Sequence, residues 1–321
     1  MRHLKLIPDN TNIGFVKLRY WAFGITAALT LAAMALVGIR GLNLGVDFVG
    51  GLMIEAKFQQ PAHLDTLRGT IDNLGVGQSS LQQFGDPKTV SIRLPLPHET
   101  DSGATNRVVA KVKTAVEQTN PGVQFTRSDT VSGKVSGELI RNGLLAVFLA
   151  VFAIAIFSWL RYEWQFGVST FVAIAHDVLM TLGFFALTRM EFDLNIVAAI
   201  LTLIGYSLND TIVVYDRIRE NMKKYRKMPL PELLDLSVNE TLSRTIVTSS
   251  SVLITLLALL LLGPDVIFGF TAAITLGIFV GTYSSVYMAT PILVWLGVTQ
   301  DSFVPSDSRA DTQDRKARGE A

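Results

Sequence analysis

Three places in this chain set ionisable side chains among apolar neighbours. Asp210, with Asn209 beside it, lies in GYSLNDTIVVYDRIREN, His176 and Asp177 lie in VAIAHDVLM, and Arg244 lies in TLSRTIVTSS. A charged residue in the middle of an apolar helix costs about 2.5–3.5 kcal/mol on insertion scales and is usually kept for function. The chemistry open to a carboxyl in such a place is loading and release of a proton. Burial disfavours its charged form and a nearby guanidinium favours it, so a carboxyl held between the two can change state with conformation. Asp210 has Leu208 and Ile212 beside it and Tyr206 one turn back on the same face. Arg244 is the basic residue near that depth on a neighbouring stretch, which predicts an Asp210–Arg244 pair: a proton relay, or a fixed pair orienting two helices. Adjacent residues on a helix point about 100° apart, so His176 and Asp177 are not expected to face one small site. They are read as a relay element or as a packed polar pair.

Other chemistries do not assemble. There is no cysteine, so disulfides, thiolate ligands and thiol nucleophiles are excluded. His3, His63, His98 and His176 are scattered without ligand spacing, and no metal site is expected. No phosphate-binding glycine loop or dinucleotide motif occurs. Intramembrane aspartyl proteases carry Gly-x-Gly-Asp, whereas Asp210 follows Ser207-Leu208-Asn209. The chain therefore reads as a non-enzyme without a cofactor, protons being its coupling ion. A net charge of +1 gives no electrostatic case for nucleic acid.

The elements that position these residues are membrane spans. Hydrophobic residues are 49% and charged ones 17% of 321, and the apolar ones gather into runs near 21–39, 139–160, 166–187, 194–215, 245–263 and 267–295. Each is close to the ~20 residues that cross a bilayer. Lys and Arg are concentrated in the N-tail (Arg2, Lys5, Lys17, Arg19), in the 216–245 connection (Arg217, Arg219, Lys223, Lys224, Arg226, Lys227, Arg244) and at Arg161, while the short connections opposite hold only Arg189. The positive-inside rule then puts both termini in the cytoplasm and residues 41–137 in the periplasm of an inner-membrane protein. The expected organisation is a cytoplasmic N-tail 1–20, a first span 21–39, a periplasmic α+β domain 40–138, five further spans within 139–296 with a cytoplasmic loop at 216–245, and a disordered tail 297–321.

The outer stretch alternates or repeats as strand 52–58, helix 61–74, strands 80–84 and 89–94 around Gly85-Asp86-Pro87, helix 99–118 and strand 123–127. That order, β-α-β-β-α-β, is the ferredoxin-like one. Gly45, Asp47, Gly50 and Gly51 in GVDFVGG join the first span to this domain as a glycine-rich joint or a hinge. Gly277 and Gly281 make a small-xxx-small step for close helix packing. Residues 228–244 are expected to form a separate interfacial helix.

GVDFVGG, AHDVLMTLG (175–183), GYSLNDTIVVYDRIREN (205–221), TLSRTIVTSS (241–250) and GTYSSVYMATP (281–291) together resemble the SecD/SecF family of export subunits, within the resistance-nodulation-division superfamily. The resemblance covers the whole membrane part and its six-span layout, the 205–221 stretch being the most specific. It implies the smaller half of a heterodimer with SecD, association with YajC and the SecYEG translocon, and proton-driven, late-stage export of polypeptide chains. It also implies Asp210 as the proton-binding carboxyl and Arg244 as its switching partner. The alternatives are half of a small-molecule or lipid exporter of the same superfamily and a structural translocase subunit without coupling.

Overall fold

In the computed structural model, the described residues are 11–77, 79–84, 86–97, 103–264 and 267–299. Six helices among them are long and apolar enough to cross a membrane: Arg19–Arg40, Val135–Arg161, Trp164–Thr188, Leu194–Lys224, Leu230–Leu262 and Phe268–Trp295. They are labelled in chain order with the shorter elements. Helix α1 is Arg19–Arg40, α5 is Gly133–Arg161, α6 is Trp164–Thr188, α7 is Leu194–Lys224 and α8 is Leu230–Leu262. The last span is α9 (Phe268–Ser284), a π-helical turn at Ser285–Ala289, and α10 (Thr290–Trp295). The π turn sits just ahead of Pro291, whose missing N–H cannot continue the ordinary ladder.

Chain contacts divide the protein into two units. The first comprises Met1–Ile39, Val147–Phe184 and Ala198–Ala321, the second Arg40–Ala146 and Phe185–Val197.

In the first unit an aromatic and aliphatic core joins Tyr162, Phe166, Tyr215 and Ile218 to Leu233, Leu234 and Val238. Two expectations change here. Helix α7 runs on to Lys224 and α8 begins at Leu230, so the connection between them is 225–229 and not 216–245. The interfacial helix expected at 228–244 is the first half of α8. No glycine follows Leu230 before Leu262, and Pro231 sits in the first turn where its lack of an N–H is harmless, so nothing interrupts the helix. The segment ahead of α1 is anchored on α8. Asn239 exchanges two hydrogen bonds with the Ile13 backbone, and Asp235 accepts from the Val16 N–H. Residues 1–10 of the expected N-tail, His98, the 99–102 start of the second outer helix and residues 300–321 of the expected tail lie outside the described residues.

The second unit holds a four-stranded antiparallel sheet. Its strands are β2 (Gly51–Lys57), β3 (Ser80–Phe84), β4 (Asp86–Leu94) and β5 (Gln124–Val131), in the spatial order β3-β4-β2-β5. Helices α3 (Leu64–Asp72) and α4 (Ala104–Thr119) cover one face. Leu67, Ile71, Val112 and Val116 pack there with Leu52, Ile54 and Ala56 of β2 and with Val90 and Ile92 of β4. Period-2 alternation sends Met53 and Glu55 to the opposite face, yet they too are buried. The residues between α6 and α7 belong to this unit. Within them β6 (Glu191–Phe192) pairs in parallel with β1 (Asn43–Leu44). Arg189 adopts a positive φ of 61°, and its guanidinium donates to the carbonyls of Arg40 and Gly41. Its own carbonyl accepts from Asn43 and Gln82, which holds the strained residue in place.

Candidate functional site: two carboxyls in the helical unit

Helix α9 approaches α7 closely because it presents glycines. A Cβ on Gly277 would lie 2.9 Å from Leu203 Cβ, and one on Gly281 would lie 3.0 Å from Ser207 Cβ. Gly183 on α6 faces α1 in the same way, 2.4 Å separating its would-be Cβ from that of Ala33. This packing brings short hydroxyl side chains within reach of two aspartates.

Asp177, on α6, is fully buried. Ser207 of α7 donates to its Oδ2 at 2.6 Å and Ser284 of α9 at 3.0 Å, while His176 Nδ1 lies 3.0 Å from Oδ1. Three helices thus converge on one carboxyl. His176 and Asp177 do share one site, contrary to the expectation from helix phase. The separation of their Cβ directions is bridged sideways by the imidazole, whose Nδ1 is the nitrogen nearest the backbone.

Asp210, on α7, is 3% exposed. Its Oδ2 accepts from Ser249 of α8 at 3.4 Å, and Ser249 in turn lies 2.9 Å from Thr282 Oγ1 and 3.4 Å from Tyr206 OH. Among the described residues no ion pair joins Asp210 to Arg244. The reason is rotational phase. Arg244 precedes Ser249 by five residues, which places the two about 140° apart around α8. Ser249 faces Asp210, and Arg244 is exposed on another side. Asn209 is exposed as well.

The hydroxyls that hold both carboxyls were not singled out by sequence reasoning. Ser and Thr in a span commonly bond back to a carbonyl four residues earlier, so their types alone carry little signal. Nor does local spacing mark them, because Ser207 and Ser284 reach Asp177, and Ser249 reaches Asp210, from other helices.

The GVDFVGG segment is a short helix α2 (Val46–Val49) folded into the second unit. Gly45 N–H donates to Phe192 O, and Asp47 Oδ2 accepts from Leu194 N–H at the start of α7. A Cβ on Gly51, whose φ is 126°, would meet Leu94 O at 2.7 Å, so this position needs glycine for two reasons. Around it stands a charged cluster at the buried second face of the sheet. Arg93 pairs with Glu191 at 3.1 Å, and Arg127 pairs with Asp129 at 2.5 Å and with Asp193 at 3.6 Å. Burial pushes the Glu55 carboxyl above the usual range against the pull of Arg127, and burial likewise pushes Glu191 up against Arg93.

Residues 111–299 match the family described as protein export membrane protein SecD/SecF, C-terminal, and residues 35–62 match the SecD/SecF GG motif. The chain belongs to the SecD/SecF family. It is 44% identical over 320 residues to the protein translocase subunit SecF of Cereibacter sphaeroides, covering 97% of each chain. Over 310 residues it is 39% identical to the SecF subunit of Rhodobacter capsulatus, covering 93% of each. Among solved structures it is similar to SecDF, a translocon-associated membrane protein from Thermus thermophilus, with a TM-score of 0.82 and 33% identity over 91% of this chain. The SecDF structure in a super-membrane-facing form matches with a TM-score of 0.65 and 32% identity over 96% of this chain. The chain spans 39% and 40% of those two SecDF chains. Family membership and the six long apolar helices make it a polytopic helical membrane protein.

Proposed function

We propose that this chain is an auxiliary subunit of the Sec protein translocase in the bacterial inner membrane, the smaller half of a pair with SecD, and that it couples the proton gradient to late-stage export of polypeptide chains. The names of its relatives and its coverage of two fifths of the SecDF chains support the pairing. The coupling reading rests above all on Asp210, a carboxyl buried in a span with neutral hydroxyls around it and no fixed countercharge among the described residues. A gradient shifts a conformational equilibrium only through a site whose proton affinity differs between the states. Asp210 fits such a site better than Asp177, whose oxygens are held by donors from three helices.

The same proposal places both termini in the cytoplasm and the sheet unit in the periplasm, by the Lys and Arg asymmetry. It reads β2-α3-β3-β4-α4-β5 as a ferredoxin-like unit. Arg244, exposed on the isolated chain, is assigned to the side that meets the SecD half and to charge switching of Asp210 in another conformation. YajC and SecYEG are the further expected partners. Motion about Gly45–Gly51 would have to release Asp47 from the Leu194 N–H.

Export into inverted membrane vesicles tests this function. Vesicles containing the chain and its SecD partner should export faster than vesicles lacking them, and the difference should vanish when the proton gradient is collapsed. Equal stimulation with and without a gradient would make the chain a structural subunit.

A further inference from the structure

Helix α8 carries a hydroxyl at every fourth residue from Ser237: Ser237, Thr241, Thr245 and Ser249, all buried. Residues four apart are neighbours on a helix, so these form an oblique row that rises about 18 Å at 1.5 Å per residue and winds about 120° around α8. Its two ends are tied to α7. At one end Ser249 donates to Asp210. At the other, Asn221 donates to Ser237 Oγ at 3.0 Å and to Glu240 Oε2 at 2.7 Å, close to the α7–α8 connection.

Thr245, in the middle of the row, departs from the usual behaviour of a helical threonine. Thr241 turns its hydroxyl back to the carbonyls of Ser237 and Val238, and Ser237 does the same to Leu233. The Thr245 hydroxyl has no protein partner, although the residue is 1% exposed. An unpartnered buried hydroxyl loses roughly 1–3 kcal/mol relative to a satisfied one, and a water molecule is the partner small enough to reach it.

We propose that this row is the path by which Asp210 exchanges protons with the side of the membrane that holds the α7–α8 connection, with the Asn221–Glu240 pair at its mouth. The proposal rests on the reading of Asp210 as the coupling carboxyl. Cβ atoms four apart on a helix are about 5–6 Å from each other. Two O–H···O bonds of about 2.8 Å span a gap of that order, so one water between successive hydroxyls completes the chain once Ser237 and Thr241 turn from their backbone carbonyls. Each hydroxyl then takes a proton from the water on its outer side and passes its own proton to the water on its inner side. The net result is one proton moved from solvent to the Asp210 carboxylate, which becomes a carboxylic acid, while every hydroxyl and water is left neutral. Rotation of the hydroxyls restores the starting orientation.

The absence of cysteine makes the test direct, because any cysteine placed in this chain is its single thiol. Thr241→Cys, Thr245→Cys and Ile254→Cys are made in the full complex, Ile254 being 69% exposed and half a turn away from Thr245 around α8. Inverted vesicles are treated with a small charged methanethiosulfonate, and modification of this chain is read by mass. Cysteines at 241 and 245 should react at least roughly tenfold faster than one at 254, because thiolates form only where water reaches. In parallel, Thr245→Val should lower gradient-driven stimulation of export by at least about tenfold, below the usual contribution of a positioned proton-transfer group, and Thr245→Ser should keep it. Normal stimulation in Thr245→Val with none in Asp210→Asn overturns the path and leaves the coupling carboxyl in place. Normal stimulation in Asp210→Asn overturns both. Should Thr245→Val not accumulate, the labelling decides alone: an unreactive cysteine at 245 rules the path out.

Discussion

Replacing Ser207 by Ala removes one donor from Asp177 and leaves the other two in place. The Ser207 hydroxyl donates to Asp177 Oδ2 at 2.6 Å, and both residues are buried between α6 and α7. Interhelical hydrogen bonds within a membrane average about 0.6 kcal/mol and reach about 1.7 kcal/mol. A buried bond on a carboxyl shared by three helices is expected at the upper end of that range, about 1–1.7 kcal/mol of destabilisation, or roughly 5–20-fold in the unfolding equilibrium. The assay is equilibrium unfolding of the purified protein in mixed micelles, with a double-mutant cycle that adds Asp177→Asn. The cycle isolates the pair from the small volume lost with the hydroxyl. A loss under about 0.6 kcal/mol, with no coupling in the cycle, would refute the view of Asp177 as a clamp on three helices.

Glu55 and Glu191, raised chiefly by burial, hold protons in the folded state at pH values where the unfolded chain has lost them. Their contribution to stability is thus present at low pH and lost as pH rises from about 4.3 through the raised native values. Glu55→Gln cannot ionise, so its thermal stability should vary less with pH than wild type above that point, and an unchanged slope would count against the buried cluster. Gly183→Val should separate α1 from α6, because even a Cβ there would approach Ala33 Cβ to 2.4 Å. Overpacking of that kind costs about 1–3 kcal/mol, and wild-type unfolding would show that the helices are not held so closely. Arg244→Lys keeps the charge but loses the planar fork, so gradient-dependent export should fall at normal membrane levels. Wild-type export would leave Arg244 as a positive-inside anchor.

The six long apolar helices were legible because a span must be a run of apolar residues, and such runs survive any detail of packing. Where a helix stops was less legible. Charged residues such as Arg217, Lys223 and Glu240 look like a loop beside apolar spans, but without glycine or proline they continue α7 and the first half of α8. The outer strands and helices followed from alternation and turn residues. The burial of Glu55 did not, since the charged cluster on its face includes Glu191 and Asp193, far away in sequence. At the site, unusual residue types pointed to Asp177, Asp210 and Arg244, but type says nothing of rotational phase. Phase sets Arg244 away from Asp210 and puts Ser249 against it. Pairing residues by their rarity overlooks the common hydroxyls that supply the contacts.

The most direct measurement of the central claim compares Asp210→Asn and Asp210→Glu with wild type in inverted vesicles containing the SecD partner, reading export with and without an imposed proton gradient. Asn is nearly isosteric and accepts from Ser249 as the carboxyl does, so folding and assembly should persist. It cannot titrate, and a proton crossing the membrane yields about 2.3 kcal/mol per 100 mV only to a site that binds and releases it. Gradient-dependent stimulation should be absent in Asp210→Asn and partial in Asp210→Glu, where the carboxyl is kept but moved by one methylene. A full response to the gradient in Asp210→Asn would contradict the account and move the coupling site to Asp177 or to the SecD half.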